Sequence, residues 1–297
     1  MKRLLLIMNP CSGTKKANPL LAEMLSMYGK AGYECLVFMT QKRGDGVTLA
    51  ARYAAAVDLI VCVGGDGTFN EVISGVCASG CSTPIGYVPA GSTNDFAASL
   101  GLSKNILQAA KDTVEGEALS FDVGRFRDRH FTYVASFGAF TKTSYATPQS
   151  VKNVLGHAAY VLGGIKEISS LHSYPLTAVL DGRLRVKGDF IFGAVSNSTS
   201  VGGVLTLDPK MVDMNDGLFE VLLVKYPKNM SGLAEVIRAL TAQDYTSPML
   251  SFHTASKVEI TADPSMDWTL DGEFAKGAEH INIENLHSAV RVMAPKG

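Results

Sequence analysis

An apolar run, Leu59-Ile60-Val61-Cys62-Val63, ends in Gly64-Gly65-Asp66-Gly67-Thr68 and passes directly into Phe69-Asn70-Glu71-Val72-Ile73. A short continuous apolar run fits a buried strand, and the spacing of Val72, Ile73 and Val76 fits a helix beyond it. Buried strand, glycine-rich loop and helix therefore follow one another over 57–76. The glycines let the main chain come close to something large. At the mouth of a parallel strand, where a helix N-terminus offers unpaired N–H groups, that partner is most often a phosphate. A carboxylate repels bare phosphate, so Asp66 fits a site that holds a Mg²⁺ ion, a cofactor or a reacting hydroxyl. Glycine and aspartate are also ordinary turn residues, so this stretch alone does not decide between site and turn.

The surrounding pattern repeats the unit. Strands are expected over 3–8, 34–38, 59–63 and 85–88, with helices over 19–31, 46–56, 68–78 and 94–99. Alternation of this kind implies a largely parallel sheet with helices on both faces and ligands at the carboxyl ends of its strands. Three polar, glycine-bearing loops fall there: 9–16, 64–68 and 89–96. None fits the Gly-x4-Gly-Lys-Ser/Thr phosphate loop or the Gly-x-Gly-x-x-Gly dinucleotide fingerprint, so any phosphate is bound by another device.

Beyond about Asp122 the pattern turns β-rich. A hairpin is expected over 177–186 through Asp181-Gly182, with strands over 189–195, 218–224, 257–260 and 268–270 and helical segments over 151–171 and 231–242. Two last strands, 281–284 and 289–293, close the chain, the final one returning to the first domain. The domains are thus expected at 1–124, joined by about 285–297, and at 125–284. In the second half Asp213-Met214-Asn215-Asp216-Gly217-Leu218 sets two carboxylates and a carbonyl on a turn, which suits either a hard cation or a solvated turn.

Composition narrows the partners. Lys+Arg 27 against Asp+Glu 28, with no basic run, gives nucleic acid no electrostatic foothold. The apolar stretch 4–8 is too short for a signal-peptide core and reads as the first strand, and no apolar run reaches the roughly 18 residues of a transmembrane helix. The 5 cysteines lie singly in the first third, as small buried residues of a reducing compartment rather than metal ligands.

Asn9-Pro10-x-Ser12-Gly13, Gly64 to Glu71, Gly91-Ser92-Thr93-Asn94-Asp95-Phe96-Ala97 and Asp271-Gly272-Glu273, in that order, resemble the diacylglycerol kinase catalytic domain family over essentially the whole chain. The resemblance implies an α/β nucleotide-binding domain followed by a β-sandwich-like domain, with ATP in the cleft between them. It implies ATP contacts from Asn9, Pro10, Ser12, Gly13, Thr40, Gly64, Gly65, Asp66, Gly67, Thr68, Asn70, Glu71, Gly91, Ser92 and Asn94. Glu273 is implied as general base, Asp66 and Asp95 as further active-site acids, and Asp213, Asp216 and the carbonyl of Leu218 as ligands of a structural Mg²⁺. Ser92 stands where many relatives have threonine and keeps the hydroxyl.

The activity implied is ATP- and Mg²⁺-dependent phosphorylation of a lipid alcohol, foremost diacylglycerol giving phosphatidic acid, by a cytoplasmic protein at the inner membrane surface. Relatives suggest a homodimer. The segment 154–171, with Leu155, Val161, Leu162, Ile165 and Ile168, is a candidate lining for a lipid entrance or a plain core helix. Sphingoid bases, monoacylglycerol, polyprenol-type alcohols and NAD are alternative acceptors, the last because NAD kinases share the Gly-Gly-Asp-Gly-Thr loop. A regulator that binds nucleotide or lipid without turnover is the other class of reading.

Overall fold

The computed structural model describes residues 1–92, 94–138, 168–201, 205–207 and 211–296, and only the backbone of Asp95, Ser170, Ser200, Val201, Leu205 and Thr206. Of the helix expected over 151–171, residues 151–167 lie outside the described residues; its end, Ile168–Ser170, is a 3-10 turn. Thr93 also lies outside them. The chain forms two compact units, Met1–Asp122 with Ser288–Gly297, and Val123–His287.

In the first unit β1 (Lys2–Met8), β2 (Tyr33–Met39), β3 (Leu59–Gly64) and β4 (Ile85–Pro89) alternate with α1 (Leu21–Lys30), α2 (Asp45–Tyr53) and α3 (Asp66–Ser79), followed by α4 (Asp95–Ser99) and α5 (Ile106–Glu115). From its edge inward the sheet runs β2, β1, β3, β4 and then the end of the chain's last strand, each neighbouring pair parallel. Side chains alternate across it. Leu4, Leu6, Met8, Val61 and Val63 pack with Met24 and Tyr28 of α1 and Ala109 and Ala110 of α5. Leu5, Ile7, Ile60 and Cys62 are buried on the other face, which α2 and α3 cover. Those two helices touch at Gly75, where a Cβ would stand 2.4 Å from the Val47 carbonyl oxygen and 2.7 Å from the Ala50 Cβ.

Helix α5 was not among the expected elements. Asn105 starts it, its Oδ1 accepting the N–H groups of Leu107 and Gln108 at 3.0 and 3.1 Å.

The second unit contains β5 (Glu117–Phe126, which begins in the first), β6 (Arg129–Phe131), β7 (Val134–Gly138), β8 (Tyr174–Leu180), β9 (Leu184–Ser196), the two-residue β10 (Ser200–Val201) and β11 (Leu205–Thr206), β12 (Phe219–Lys225), β13 (Leu250–Ala255), β14 (Lys257–Ala262), β15 (Trp268–Leu270), β16 (Glu273–Ala275) and β17 (His280–Ala294). Its strands pair antiparallel in the order β16, β15, β7, β9, β8, β14, β17, with β12 and β13 continuing from β9.

The separate strand expected at 189–195 is part of β9, whose hairpin pairing with β8 runs through Gly188 opposite Leu176 and Asp189 opposite Pro175. Beyond Phe190 the same strand lies between β7 and β12. Its apolar end divides between two cores: Phe190 and Val195 join Phe137, Trp268 and Leu223, while Ile191, Phe192 and Ala194 face Leu233, Val236 and Leu240 of the helix Met230–Ala242. Burial on both faces explains the unbroken apolar run Phe190-Ile191-Phe192-Gly193-Ala194-Val195. The two closing strands are likewise one, β17, which continues through Ser288 at φ 50 with that residue's N–H on the Asp122 carboxylate at 2.7 Å. Among the described residues no helix is long and apolar enough to cross a membrane.

Candidate functional site

The three glycine-bearing loops of the first unit follow β1, β3 and β4, and the structure fastens them together. The Asn9 side chain donates to Thr68 Oγ1 at 3.1 Å and accepts the Cys11 N–H at 2.9 Å. Ser12 Oγ accepts the Gly65 N–H at 3.2 Å, and the Pro10 carbonyl accepts from the Asn18 side chain at 3.0 Å. Ala90 N–H donates to the Gly64 carbonyl at 2.7 Å. Glycine is required where the loops meet: a Cβ on Gly91 would stand 2.6 Å from Gly65 Cα, and one on Gly13, at φ +51, 2.5 Å from the Ala90 carbonyl oxygen. Thr40 sits beside them, its N–H on the Met8 carbonyl at 2.9 Å. The result is a floor of main chain at the carboxyl edge of a parallel sheet.

Asp66 opens α3, where Gly65 offers no side-chain cap. Its carboxylate meets the N–H of Phe96 and the hydroxyl of Tyr87, each at 3.4 Å. That hydroxyl is also 3.4 Å from Asn94 Oδ1, which accepts the Gly91 N–H at 2.9 Å while its own amide donates to the Gly91 carbonyl at 3.0 Å. Asn94 takes the left-handed conformation, φ 54, tolerated by asparagine. Gly67 and Ser92 lie exposed on the same loops, and Asn70 faces Ser74 one helical turn on, with 3.5 Å from the Ser74 hydroxyl to its Oδ1. Tyr87, absent from the sequence-derived set, stacks on Phe69 at 4.2 Å; an aromatic inside an apolar strand gives no advance sign of such a role.

Glu71 lies elsewhere. Its two carboxylate oxygens accept the N–H groups of Gly44 and Gly46 at 2.8 and 3.0 Å. An α3 side chain thus caps the N-terminus of α2, where the helix dipole favours negative charge, and secures the segment that follows Thr40.

In the second unit Asp271 and Gly272, at φ 48 and 82, form the two-residue turn between β15 and β16. Asp271 is an anchor. One oxygen accepts the N–H and hydroxyl of Thr132 at 2.6 and 2.8 Å, the other the N–H groups of Tyr133 and Val134 at 3.0 and 3.0 Å. Glu273 starts β16 with its side chain 44% exposed, 3.4 Å from the guanidinium of Arg129. Sequence reasoning missed Arg129, since Arg127-Asp128-Arg129 has the composition of a solvated turn.

The Asp213–Leu218 turn holds its shape by two short bonds: Asn215 N–H to Asp213 at 3.0 Å and Leu218 N–H to Asp216 at 2.9 Å. Nearby, the Leu218 carbonyl accepts from the Asn285 amide at 3.0 Å. Glu220 is buried, and burial, with the charges of Asp216 and Asp213 adding to it, pushes its carboxyl up to about 8. One oxygen of Glu220 and the side-chain oxygen of Asn285 are buried without a hydrogen-bond partner. Oxygen acceptors in that condition fit a nearby hard cation. Among the described residues no group of three or more His, Cys, Asp or Glu side chains could hold a metal, so a cation there would rely on the Leu218 carbonyl and water as well as Asp213 and Asp216. Of Asp95 only the backbone, at the start of α4, is described.

Comparison with known proteins follows the division of the sheet. Residues 3–126 match the diacylglycerol kinase catalytic domain, and residues 135–294 match the YegS C-terminal NAD kinase beta sandwich-like domain. Diacylglycerol kinase of Bacillus subtilis (strain 168) is 34% identical over 303 residues, covering 100% of this chain and 97% of its own. Diacylglycerol kinase of Staphylococcus carnosus (strain TM300) is 30% identical over 298 residues, covering 99% and 96%. In structure, a diacylglycerol kinase of Bacillus anthracis str. Sterne superposes with a TM-score of 0.75 at 21% identity over 99% of this chain and 97% of that one. An NAD kinase from Archaeoglobus fulgidus in complex with ATP does so at 0.57 and 15% over 99% and 94%. The two structural likenesses show a shared α/β and β-sandwich-like fold. Aligned over its full length to a relative 34% identical and over 99% of it to another at 30%, this chain belongs to the diacylglycerol kinase catalytic domain family and is a phosphotransferase with an alcohol as acceptor.

Proposed function

We propose that the protein transfers the γ-phosphoryl group of ATP, with Mg²⁺, to the hydroxyl of a lipid alcohol, foremost diacylglycerol, giving phosphatidic acid. The observation that carries the ATP part is the closure of three loops on one another at Gly13, Gly65 and Gly91, with Asp66 opening α3 beside them. Main-chain N–H groups and a helix N-terminus are the equipment for polyphosphate, and an acid among them is the equipment for its metal. The division of labour we propose gives nucleotide to residues 1–124 with about 285–297 and the acceptor to 125–284. The relatives named diacylglycerol kinase support the choice of lipid.

The reaction forms a bond from the alcohol oxygen to the γ-phosphorus and breaks the bond from that phosphorus to the β-bridging oxygen, releasing ADP. The hydroxyl proton passes to Glu273. Because the transition state is loose, holding the two oxygens in line contributes more than proton removal. Asn9, Ser12, Gly13, Gly65, Thr68, Gly91 and Ser92 orient the phosphates, with Thr40 beside them, and Glu71 acts on the α2 end of that region. Asp66 would hold the catalytic Mg²⁺ or polarise the acceptor hydroxyl, with Asp95 a further active-site acid, and Asp213, Asp216 and the Leu218 carbonyl would hold the structural one. Bound Mg²⁺ would neutralise charge on the transferring phosphoryl group.

Acting on a lipid places the protein at the inner membrane surface, without a spanning helix, as a peripheral cytoplasmic homodimer in this reading. The test is transfer from labelled ATP into mixed micelles of diacylglycerol, sphingosine, monoacylglycerol or a polyprenol, with NAD alongside because of the shared fold. Incorporation into diacylglycerol that Asp66→Ala abolishes supports the proposal. Incorporation into NAD alone, or ATP binding with no transfer to any acceptor, refutes it.

A further inference from the structure

Arg129 is the residue the activity has not absorbed. It stands on β6, at the end of a tight hairpin from β5 in which Phe126 pairs with Arg129 itself. One guanidinium nitrogen donates to the Phe274 carbonyl at 2.7 Å, and the other lies 3.4 Å from the Glu273 carboxylate. The first bond is to main chain, so it fixes the guanidinium plane against β16. The second N–H is thereby presented to Glu273 in a set direction, as the rigid fork of arginine allows and the flexible ammonium of lysine does not. Both side chains are about one-third to one-half exposed, 36% and 44%, so a pair that served stability alone would contribute little. From the other side Asp271 pins the turn that precedes Glu273 to the segment 132–134, immediately after β6. Arg129 and residues 132–134 therefore reach the Asp271-Gly272-Glu273 hairpin from one continuous stretch of chain.

We infer that Arg129 is a positioning residue that holds the Glu273 carboxylate in the orientation from which it accepts the proton of the acceptor alcohol. This rests on the reading of Glu273 as general base. Arg129 acts through Glu273 and not on the nucleotide, so its loss is expected to lower kcat and leave KM for ATP unchanged. Misplacement of a catalytic group by a fraction of its reach costs about 10- to 100-fold in rate.

The experiment is a double-mutant cycle in the micelle assay, under single-turnover conditions with labelled ATP so that slow variants are measured. It uses Arg129→Ala, Arg129→Lys, Glu273→Gln and the Arg129→Ala/Glu273→Gln pair. Arg129→Gln, which keeps a donor for the Phe274 carbonyl, replaces Arg129→Ala if the latter does not fold. The expected result is a kcat about 10- to 100-fold down in Arg129→Ala, partial recovery with lysine, and no further loss when Arg129→Ala is added to Glu273→Gln. A normal kcat in Arg129→Ala, a rise confined to KM for ATP, or the same fold-loss in the Glu273→Gln background overturns the inference. Glu273→Gln with wild-type turnover overturns the base reading itself, whatever Arg129→Ala does, so the two failures are told apart.

Discussion

Replacing Asp271 should unfold the second unit far more readily than replacing Glu273, two residues away. Four donors converge on the Asp271 carboxylate at 2.6 to 3.0 Å: the N–H groups of Thr132, Tyr133 and Val134 and the Thr132 hydroxyl. Those three residues are 3%, 7% and 1% exposed, so water has little access to the donors once the carboxylate is gone. A hydrogen bond to a charged group is worth about 1.5–3 kcal/mol net, and a buried donor left unsatisfied costs about 1–3 kcal/mol. Allowing for relaxation and one rescuing water, Asp271→Ala should lose about 4 kcal/mol, comparable to breaking a buried charged network. Asp271→Asn keeps one acceptor oxygen for one pair of donors but turns an amide N–H toward the other, and should lose about 2 kcal/mol. Glu273→Gln removes the charge from a 3.4 Å contact between partly exposed groups and should stay within about 0.5 kcal/mol. Urea unfolding followed by tryptophan fluorescence reads this directly, because the single tryptophan, Trp268, is buried on β15 next to the turn. A loss below about 1 kcal/mol for Asp271→Ala would refute the anchoring argument.

Gly91→Ala places a methyl 2.6 Å from Gly65 Cα and should force two loops apart, weakening ATP binding in calorimetry by at least about tenfold while the second unit unfolds as before. Glu71→Gln leaves the Gly44 or Gly46 N–H with an ill-matched partner, and should cost about 1–2 kcal/mol in thermal unfolding before any nucleotide is added. Unchanged stability with weaker ATP binding would instead make Glu71 a direct ligand. His130 is pushed below its ordinary value by burial and then by the neighbouring Arg125. The unfolded chain therefore takes up a proton that the folded one resists. Stability from this group is present above the unfolded value of about 6.5 and is lost as pH falls through it toward the depressed folded value, at no more than about 1.4 kcal/mol per pH unit. His130→Gln should flatten that slope in acid-dependent unfolding, and an unaltered slope would count against it.

The main-chain features of the site were legible from residue order. Strand, glycine loop and helix at 59–76 is a local pattern, and buried apolar runs set against Gly-Gly and Gly-Ser mark the strand ends whatever packs around them. What depended on distant partners was not legible. Glu71 reads as part of the loop motif, yet its oxygens cap a helix about 25 residues earlier in the chain. Arg129 reads as a solvated turn residue, and only the bonds that join residues 129–134 to the β15–β16 hairpin, from 132–134 to Asp271 and from Arg129 to the Phe274 carbonyl, bring it to Glu273. β9 was divided in two because Gly188-Asp189 is a turn signal, and the pairing with β8 overrides it. Helix α5 was missed although Asn105 caps it, because its apolar face is made largely of alanine and threonine.

The most direct test of the central claim is the rate of γ-phosphoryl transfer from ATP to diacylglycerol in mixed micelles, measured for the native protein and for Glu273→Gln at saturating ATP. The account predicts incorporation by the native protein and a kcat lower by about 10²- to 10⁴-fold in the variant, with ATP affinity intact, as loss of a positioned base requires. Equal rates in the two proteins, or no incorporation by a native protein that binds ATP, would contradict it.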